Sequence, residues 1–171
     1  MRKLLIGAAL ASLAVPAVSF AQNSTTTSTT PSAESQCRQQ RDAIGKSAFG
    51  DLYGTNAGKT NALGKCVSAK AKANRQANSD AANACRTEQT ADATAFTKKY
   101  GTGKNGKNAY GKCVSAKAKA QSVADQKATI SAAKSCKAER ALDPAAFKAK
   151  YGTNANKANA FGKCVSAKAK A

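Results

Sequence analysis

The residues of this chain whose types and spacing could do chemistry are six cysteines, a set of lysines that recurs in register, and two glycine-rich stretches. The cysteines are Cys37, Cys66, Cys85, Cys113, Cys136 and Cys164. Thiolates bind zinc as closely spaced pairs or together with histidine, and the chain has neither a Cys-x-x-Cys pair nor any histidine. No metal site and no cofactor are expected. An even number of cysteines in an exported chain reads as a disulfide framework. Spacing selects the pairing. Cys37 to Cys66, Cys85 to Cys113 and Cys136 to Cys164 are nearly equidistant, whereas Cys66 to Cys85 and Cys113 to Cys136 are not. The stretches Lys65–Gln89 and Lys112–Leu142 hold no Gly or Pro and are rich in the helix formers Ala, Lys and Gln. As a straight helix the first would hold Cys66 and Cys85 about 28 Å apart at 1.5 Å per residue. A disulfide needs Cα atoms within about 7 Å. The expected pairs are therefore Cys37–Cys66, Cys85–Cys113 and Cys136–Cys164, each stabilising by roughly 3–4 kcal/mol in the chain-entropy model.

Lysine is the second candidate. Lys65, Lys70 and Lys72, then Lys112, Lys117 and Lys119, then Lys163, Lys168 and Lys170 stand at matching places around the second cysteine of each couple, with Lys59, Lys107 and Lys157 in the preceding loops. Lys+Arg number 28 against 9 Asp+Glu, a formal net charge of +19. Rows of this kind suit an anionic polymer, whose counterions they displace. Lysine far outnumbers arginine, which favours non-specific charge attraction over bidentate readout. The same residues would also keep an alanine-rich protein in solution.

Catalysis has little to work with. Histidine, the commonest general base, is absent, and no acidic pair recurs through the chain. No enzyme and no small-molecule substrate are expected. Gly101-Thr-Gly-Lys-Asn-Gly106 matches the letters of a dinucleotide fingerprint, and Gly54 to Thr60 approaches a phosphate loop. Both motifs require a preceding strand, where a helix is expected here. These glycines read better as loop residues.

The elements that must position these residues come in three copies. Each copy closes with Gly-Lys-Cys-Val-Ser-Ala-Lys-Ala-Lys-Ala, and each carries Phe and Tyr four apart followed by Gly-Thr: Phe49/Tyr53, Phe96/Tyr100 and Phe147/Tyr151. The reading is all-α: three tandem disulfide-stapled helical repeats at 37–73, 85–120 and 136–171, joined by helical connectors at 74–84 and 121–135. Internal repetition marks an array of units sharing a core. Arg2 and Lys3, the apolar run Leu4–Val18 and Ser19-Phe20-Ala21 read as a cleaved signal peptide over 1–21. Residues 22–36 read as a Ser/Thr-rich flexible linker. Secretion or an extracytoplasmic location follows, with no stable membrane insertion after cleavage.

Within a repeat, Asp143-Pro144 starts a short helix as cap and first residue, and Ser47 and Thr90 or Asp92 take the matching role. Gly54, Gly101 and Gly152 are expected to end these helices in the left-handed conformation. The next helix starts near Asn61, Asn108 and Asn159. On its wheel Phe161, Cys164 and Val165 face inward, Lys163 and Lys170 face away, and Lys168 lies at the rim. Leu63/Val67 and Tyr110/Val114 repeat the inner pair. Gly64, Gly111 and Gly162 inside this helix point to close backbone contact beside the disulfide.

The whole repeat, Phe-x3-Tyr-Gly-Thr…Asn-Ala-Phe-Gly-Lys-Cys-Val-Ser, resembles repeats of uncharacterised exported bacterial Ala/Lys-rich proteins. The resemblance carries no activity to transfer. The function expected from the residues is non-catalytic binding of extracytoplasmic polyanions, such as cell-wall polymer, acidic polysaccharide or DNA. A structural spacer of the envelope and a membrane-active cationic protein are the alternatives.

Overall fold

The computed structural model describes residues 30–103 and 105–170. The signal peptide assigned to 1–21 and most of the linker lie outside the described residues. Seven helices follow in order: α1 Ala33–Ile44, α2 Lys46–Tyr53, α3 Ala62–Ala91, α4 Ala93–Tyr100, α5 Ala109–Leu142, α6 Pro144–Tyr151 and α7 Ala160–Lys168. No strand occurs among the described residues.

The fold is organised by two long helices. α3 has 30 residues and α5 has 34, so both connectors are uninterrupted helix. The two run antiparallel. Cys85 is bonded to Cys113, Tyr110 Oη donates to the Ala82 carbonyl at 3.1 Å, and Ser122 Oγ donates to Asn74 Oδ1 at 3.0 Å. Alanines line the seam: Ala77, Ala81, Ala118, Ala132 and Ala133 are buried. Small side chains let the backbones approach closely, which is how an Ala-rich chain packs with few large apolar residues.

The disulfides join Cys37–Cys66, Cys85–Cys113 and Cys136–Cys164, with Cα separations of 5.9, 6.1 and 6.0 Å. Each ties a long helix to its partner beside a tilted Phe–Tyr pair. The ring centroids lie 5.1 Å apart in Phe49/Tyr53 and 5.0 Å apart in Phe96/Tyr100 and Phe147/Tyr151. No free cysteine remains, which suits an oxidising compartment.

The three copies do not form a simple linear array. Phe49, Ile44 and Cys66 of the first share one core with Phe147, Phe161 and Val165 of the third. The second copy has a separate small core of Cys85, Phe96, Ala109 and Cys113 at the other end of the α3–α5 hairpin. The reversal is imposed by α3 and α5 themselves: joined through short α4, they fold back on each other and bring the outer copies together.

Several local expectations are corrected. α1 begins at Ala33, inside the segment read as flexible linker. The missed signal is polar. Ser32 Oγ caps the helix by accepting from Ser35 N at 3.1 Å, and buried Gln36 donates to the Pro31 carbonyl at 2.7 Å and to Ser122 Oγ at 3.1 Å. Ser47 does not cap α2. The chain turns at Gly45, with φ +87°, where only glycine is at ease. Asp92 and Asp143 do cap α4 and α6. Gly54, Gly101 and Gly152 are not left-handed, since their φ angles are −73°, −74° and −74°. They are glycine for space: a Cβ at Gly54 would lie 2.7 Å from the Gly50 carbonyl oxygen and 2.8 Å from Lys59 Cβ. The left-handed residue comes five places later, at Lys59, Gly106 and Lys157. Gly64 and Gly111 meet nothing within 4 Å, so close backbone contact does not explain them.

Candidate functional site

The nine candidate lysines divide by their place on the wheel. Lys70, Lys117 and Lys168 stand four residues after the second cysteine and turn inward. The other six, Lys65, Lys72, Lys112, Lys119, Lys163 and Lys170, are exposed and form no ion pair among the described residues. Lys65/Lys72 and Lys112/Lys119 are each seven residues apart on one helix, two turns, so the members share a face. α7 ends at Lys168, so Lys170 lies beyond the helix to whose wheel the sequence assigns it.

The inward lysines belong to a charge network that sequence reading missed. Glu88 receives Lys99 at 2.6 Å and Lys117 at 3.1 Å, and Tyr100 Oη donates to it at 3.1 Å. Glu139 receives Lys150 at 2.9 Å and Lys168 at 2.8 Å, with Tyr151 Oη at 3.1 Å. The hydrogen bond from Lys99, followed by that from Lys117, draws Glu88 down to a pKa of about 2. Lys168 and then Lys150 do the same for Glu139, also to about 2. The Glu88 carboxylate in turn raises Lys99, and the Glu139 carboxylate raises Lys150. The legible signal was spacing: Glu three residues after the first cysteine, Lys three after Phe, and Lys four after the second cysteine. Lys168 also donates to Ser135 Oγ at 2.9 Å, so its ammonium is held and not released to water as the rim position implied.

The loops are held by a second device. Thr55, Thr102 and Thr153 donate their amides to Asn61, Asn108 and Asn159 Oδ1 at 3.0, 3.1 and 3.0 Å. The same asparagines donate Nδ2 to those threonine hydroxyls at 2.8, 2.7 and 2.7 Å. The Gly-Thr…Asn pattern is thus a clasp that closes each loop onto the start of the next helix. Lys59 and Lys157 lie across these loops and donate to the Gly54 and Gly152 carbonyls at 3.2 and 3.0 Å. The stretch Gly101–Asn108 joins α4 to α5, and no strand precedes it, so the context of a nucleotide loop is missing.

Almost every acid has a partner within the fold. Glu34 pairs with Arg38, Asp42 with Arg41, and Asp51 with Arg140. Asp80 accepts from Gln76, and Asp92 and Asp143 cap helices. Only Asp125 has no side-chain partner among the described residues, and its field acts on buried Lys70. The net positive charge therefore sits uncompensated on the surface.

Where the first and third copies meet, α2 and α7 enclose an open groove of about 760 Å³. Leu52, Tyr53 and Val165 supply apolar floor, and Lys59, Lys163 and Lys170 stand along it. Among the described residues no three His, Cys, Asp or Glu side chains gather as a metal site, and no helix is long and apolar enough to cross a membrane. Comparison with family models, curated proteins and solved structures gave no match.

Proposed function

We propose that this is an exported, non-catalytic protein of three disulfide-stapled helical repeats that binds anionic polymers through its exposed lysines. The observation that carries the reading is the separation of labour among charges. Most of the acids are engaged in caps and ion pairs, while Lys65, Lys72, Lys112, Lys119 and Lys163 on the helices and Lys170 just past the end of α7 are exposed and form no ion pair among the described residues. Helices held by disulfides fix the lysine couples before a ligand arrives, so little ordering entropy opposes association. Binding of this type draws on release of counterions from the polymer.

The reading narrows the lysine set. Lys117 pairs with Glu88 and Lys168 with Glu139 within the fold, and Lys70 is buried, so none of the three is offered to a polymer. Titration against duplex DNA of several sequences and against a polyuronate tests the proposal. Affinity should be blind to DNA sequence, because no Arg or Asn array is set for base edges. Absence of binding to either polymer at about 50 mM salt, where phosphate-driven association is strong, would leave the lysines as a solubility device, and the spacer reading would replace this one.

A further inference from the structure

The first copy departs from the other two where it meets the third. Lys99 and Lys150 stand three residues after the Phe of the short helix in the second and third copies, and each pairs with a glutamate. In the first copy Leu52 takes that place, and Gln40 takes the place of Glu88 and Glu139. Tyr53 Oη donates to Gln40 Oε1 at 3.0 Å, so the tyrosine keeps its anchor without a charge. The exchange removes an ion pair and puts an aliphatic side chain on the wall of the open groove between α2 and α7. Leu52 also packs on the shared core. The core accounts for an apolar residue here, but not for the polar and charged groups gathered around it.

Leu52 and Tyr53 are half-buried and form the floor. Lys59 from the loop after α2, Lys163 on α7 and Lys170 just past its end line the groove with positive charge. Asp51 on the same wall is already paired with Arg140 at 2.6 Å. The groove therefore carries uncompensated positive charge over an apolar floor. Uncharged polar groups complete the lining. Ser166 is exposed on α7, with no side-chain hydrogen bond among the described residues. Asn154 Oδ1 accepts from the Asn159 amide at 3.5 Å, which leaves its Nδ2 for a ligand. Thr55 Oγ1 accepts from Asn61 Nδ2 at 2.8 Å, and its hydroxyl proton remains to be donated. At about 760 Å³ the groove has the size of a ligand site, and its open form suits a segment of a chain.

We propose that this groove binds a segment of an acidic polysaccharide, a polyuronate, as the selective site within the polyanion binding on which this inference rests. Carboxylates pair with Lys59, Lys163 and Lys170. Ring hydroxyls meet Ser166, Asn154 and Thr55, and the C–H faces of the sugar rings cover Leu52 and Tyr53. Other polyanions match fewer of these features. Polyphosphate has charge but no apolar face, so it leaves the floor uncovered. Duplex DNA presents phosphates on a broad convex surface with its bases stacked inside, so it reaches the rim lysines and not the floor. Single-stranded nucleic acid needs open aromatic faces for its bases. Tyr53 is poorly placed for that, since its ring lies 5.1 Å from that of Phe49 and its hydroxyl is tied to Gln40.

The test is calorimetric titration of the full chain with tetragalacturonate, a segment short enough to report on the groove. Maltotetraose and linear tetraphosphate are the comparisons, and duplex DNA reports on the surface lysines. Wild type should bind tetragalacturonate at least about tenfold more tightly than either short comparison. Ser166→Trp fills the groove and keeps every lysine. It should weaken tetragalacturonate by at least about tenfold while DNA binding persists. Ser68→Trp, on an exposed face of α3 outside the groove, should bind the oligomer as wild type does. Lys163→Gln should weaken it by up to about fivefold without added bulk, which decides the matter should the tryptophan disturb α7. Amide shifts on titration should centre on Leu52, Thr55 and Ser166. Equal affinity of wild type, Ser166→Trp and Lys163→Gln for tetragalacturonate would overturn the groove and leave the surface-lysine reading standing. So would failure of the oligomer to bind a wild type that binds DNA. Tetraphosphate bound as tightly as tetragalacturonate would overturn the choice of an acidic sugar. Absence of binding to DNA and polyuronate alike would remove both this inference and the reading beneath it.

Discussion

Arg140 on α5 reaches across to Asp51 on α2 and bonds its carboxylate at 2.6 Å, while its guanidinium lies 4.6 Å from the Phe161 ring centre. One side chain thereby joins the first copy to the third at their shared core. Both partners are about one-third exposed, so solvent screens the pair and part of the effect comes from stacking on Phe161. Arg140→Ala should destabilise by about 1–2 kcal/mol in urea unfolding, and Arg140→Lys should recover only part of that. Equal stability of wild type and Arg140→Ala would show that the pair adds nothing to the junction.

Two sets of glycines should respond with opposite sign. Gly54→Ala places a methyl against the Gly50 carbonyl and the Lys59 stem, and should destabilise by about 1–3 kcal/mol. Gly64 and Gly111 lie in helix with open space around them, so Gly64→Ala and Gly111→Ala should each stabilise by up to about 1 kcal/mol. Urea midpoints of the three variants check the signs. A stabilising Gly54→Ala would remove the steric explanation for that residue.

The disulfides should matter unequally in space. Peptide mapping without reduction should recover Cys37–Cys66, Cys85–Cys113 and Cys136–Cys164. Replacing Cys85 and Cys113 together by Ser should cost roughly 3–4 kcal/mol. The loss should be local, because that end rests on the small core around Phe96. Hydrogen exchange should then rise over 85–113 while the core shared by Phe49 and Phe161 stays protected. A uniform rise across the chain would mean that the two cores melt as one.

Acid should loosen the second and third copies first. Glu88 and Glu139 are held at a pKa of about 2 in the fold against an ordinary value of 4.5. A depressed carboxylate stabilises above its unfolded value, and that stability is lost as pH falls toward the folded value. Melting temperature should therefore decline between pH 4.5 and 2. The decline should be shallower in the double variant Glu88→Gln/Glu139→Gln. The first copy has Gln40 at that place and contributes nothing to this slope. An unchanged slope in the variant would indicate that the ion clusters do not couple to folding.

Much of the frame was legible because it rests on local signals. Helix formers without Gly or Pro gave the long α3 and α5, cysteine spacing selected the three pairs, and Asp143-Pro144 marked the start of α6. Residues with long-range partners were not legible. The position of Gln36 depends on Ser122, which is distant in sequence, so α1 reads as linker from composition alone. The meeting of the first and third copies is decided by the antiparallel return of α5, which no repeat encodes by itself. For the site, the wheel separated Lys163 and Lys170 from Lys168. It did not reveal that Lys117 and Lys168 are held by glutamates on a neighbouring helix segment, because those pairs form only once the disulfides set the register.

The exposed lysines are tested most directly by their salt dependence. The variant to compare with wild type replaces Lys112, Lys119, Lys163 and Lys170 by Gln, and leaves Lys117 and Lys168 to their glutamates. Gln has similar helix propensity, so circular dichroism should be unchanged. Both proteins are titrated against duplex DNA and a polyuronate at several salt concentrations. For wild type, log K should fall linearly with log salt. In the variant the slope on DNA should be shallower by up to about 0.9 for each phosphate that no longer has a lysine to neutralise it. Equal affinities and equal slopes for the two proteins would contradict polymer binding through these lysines.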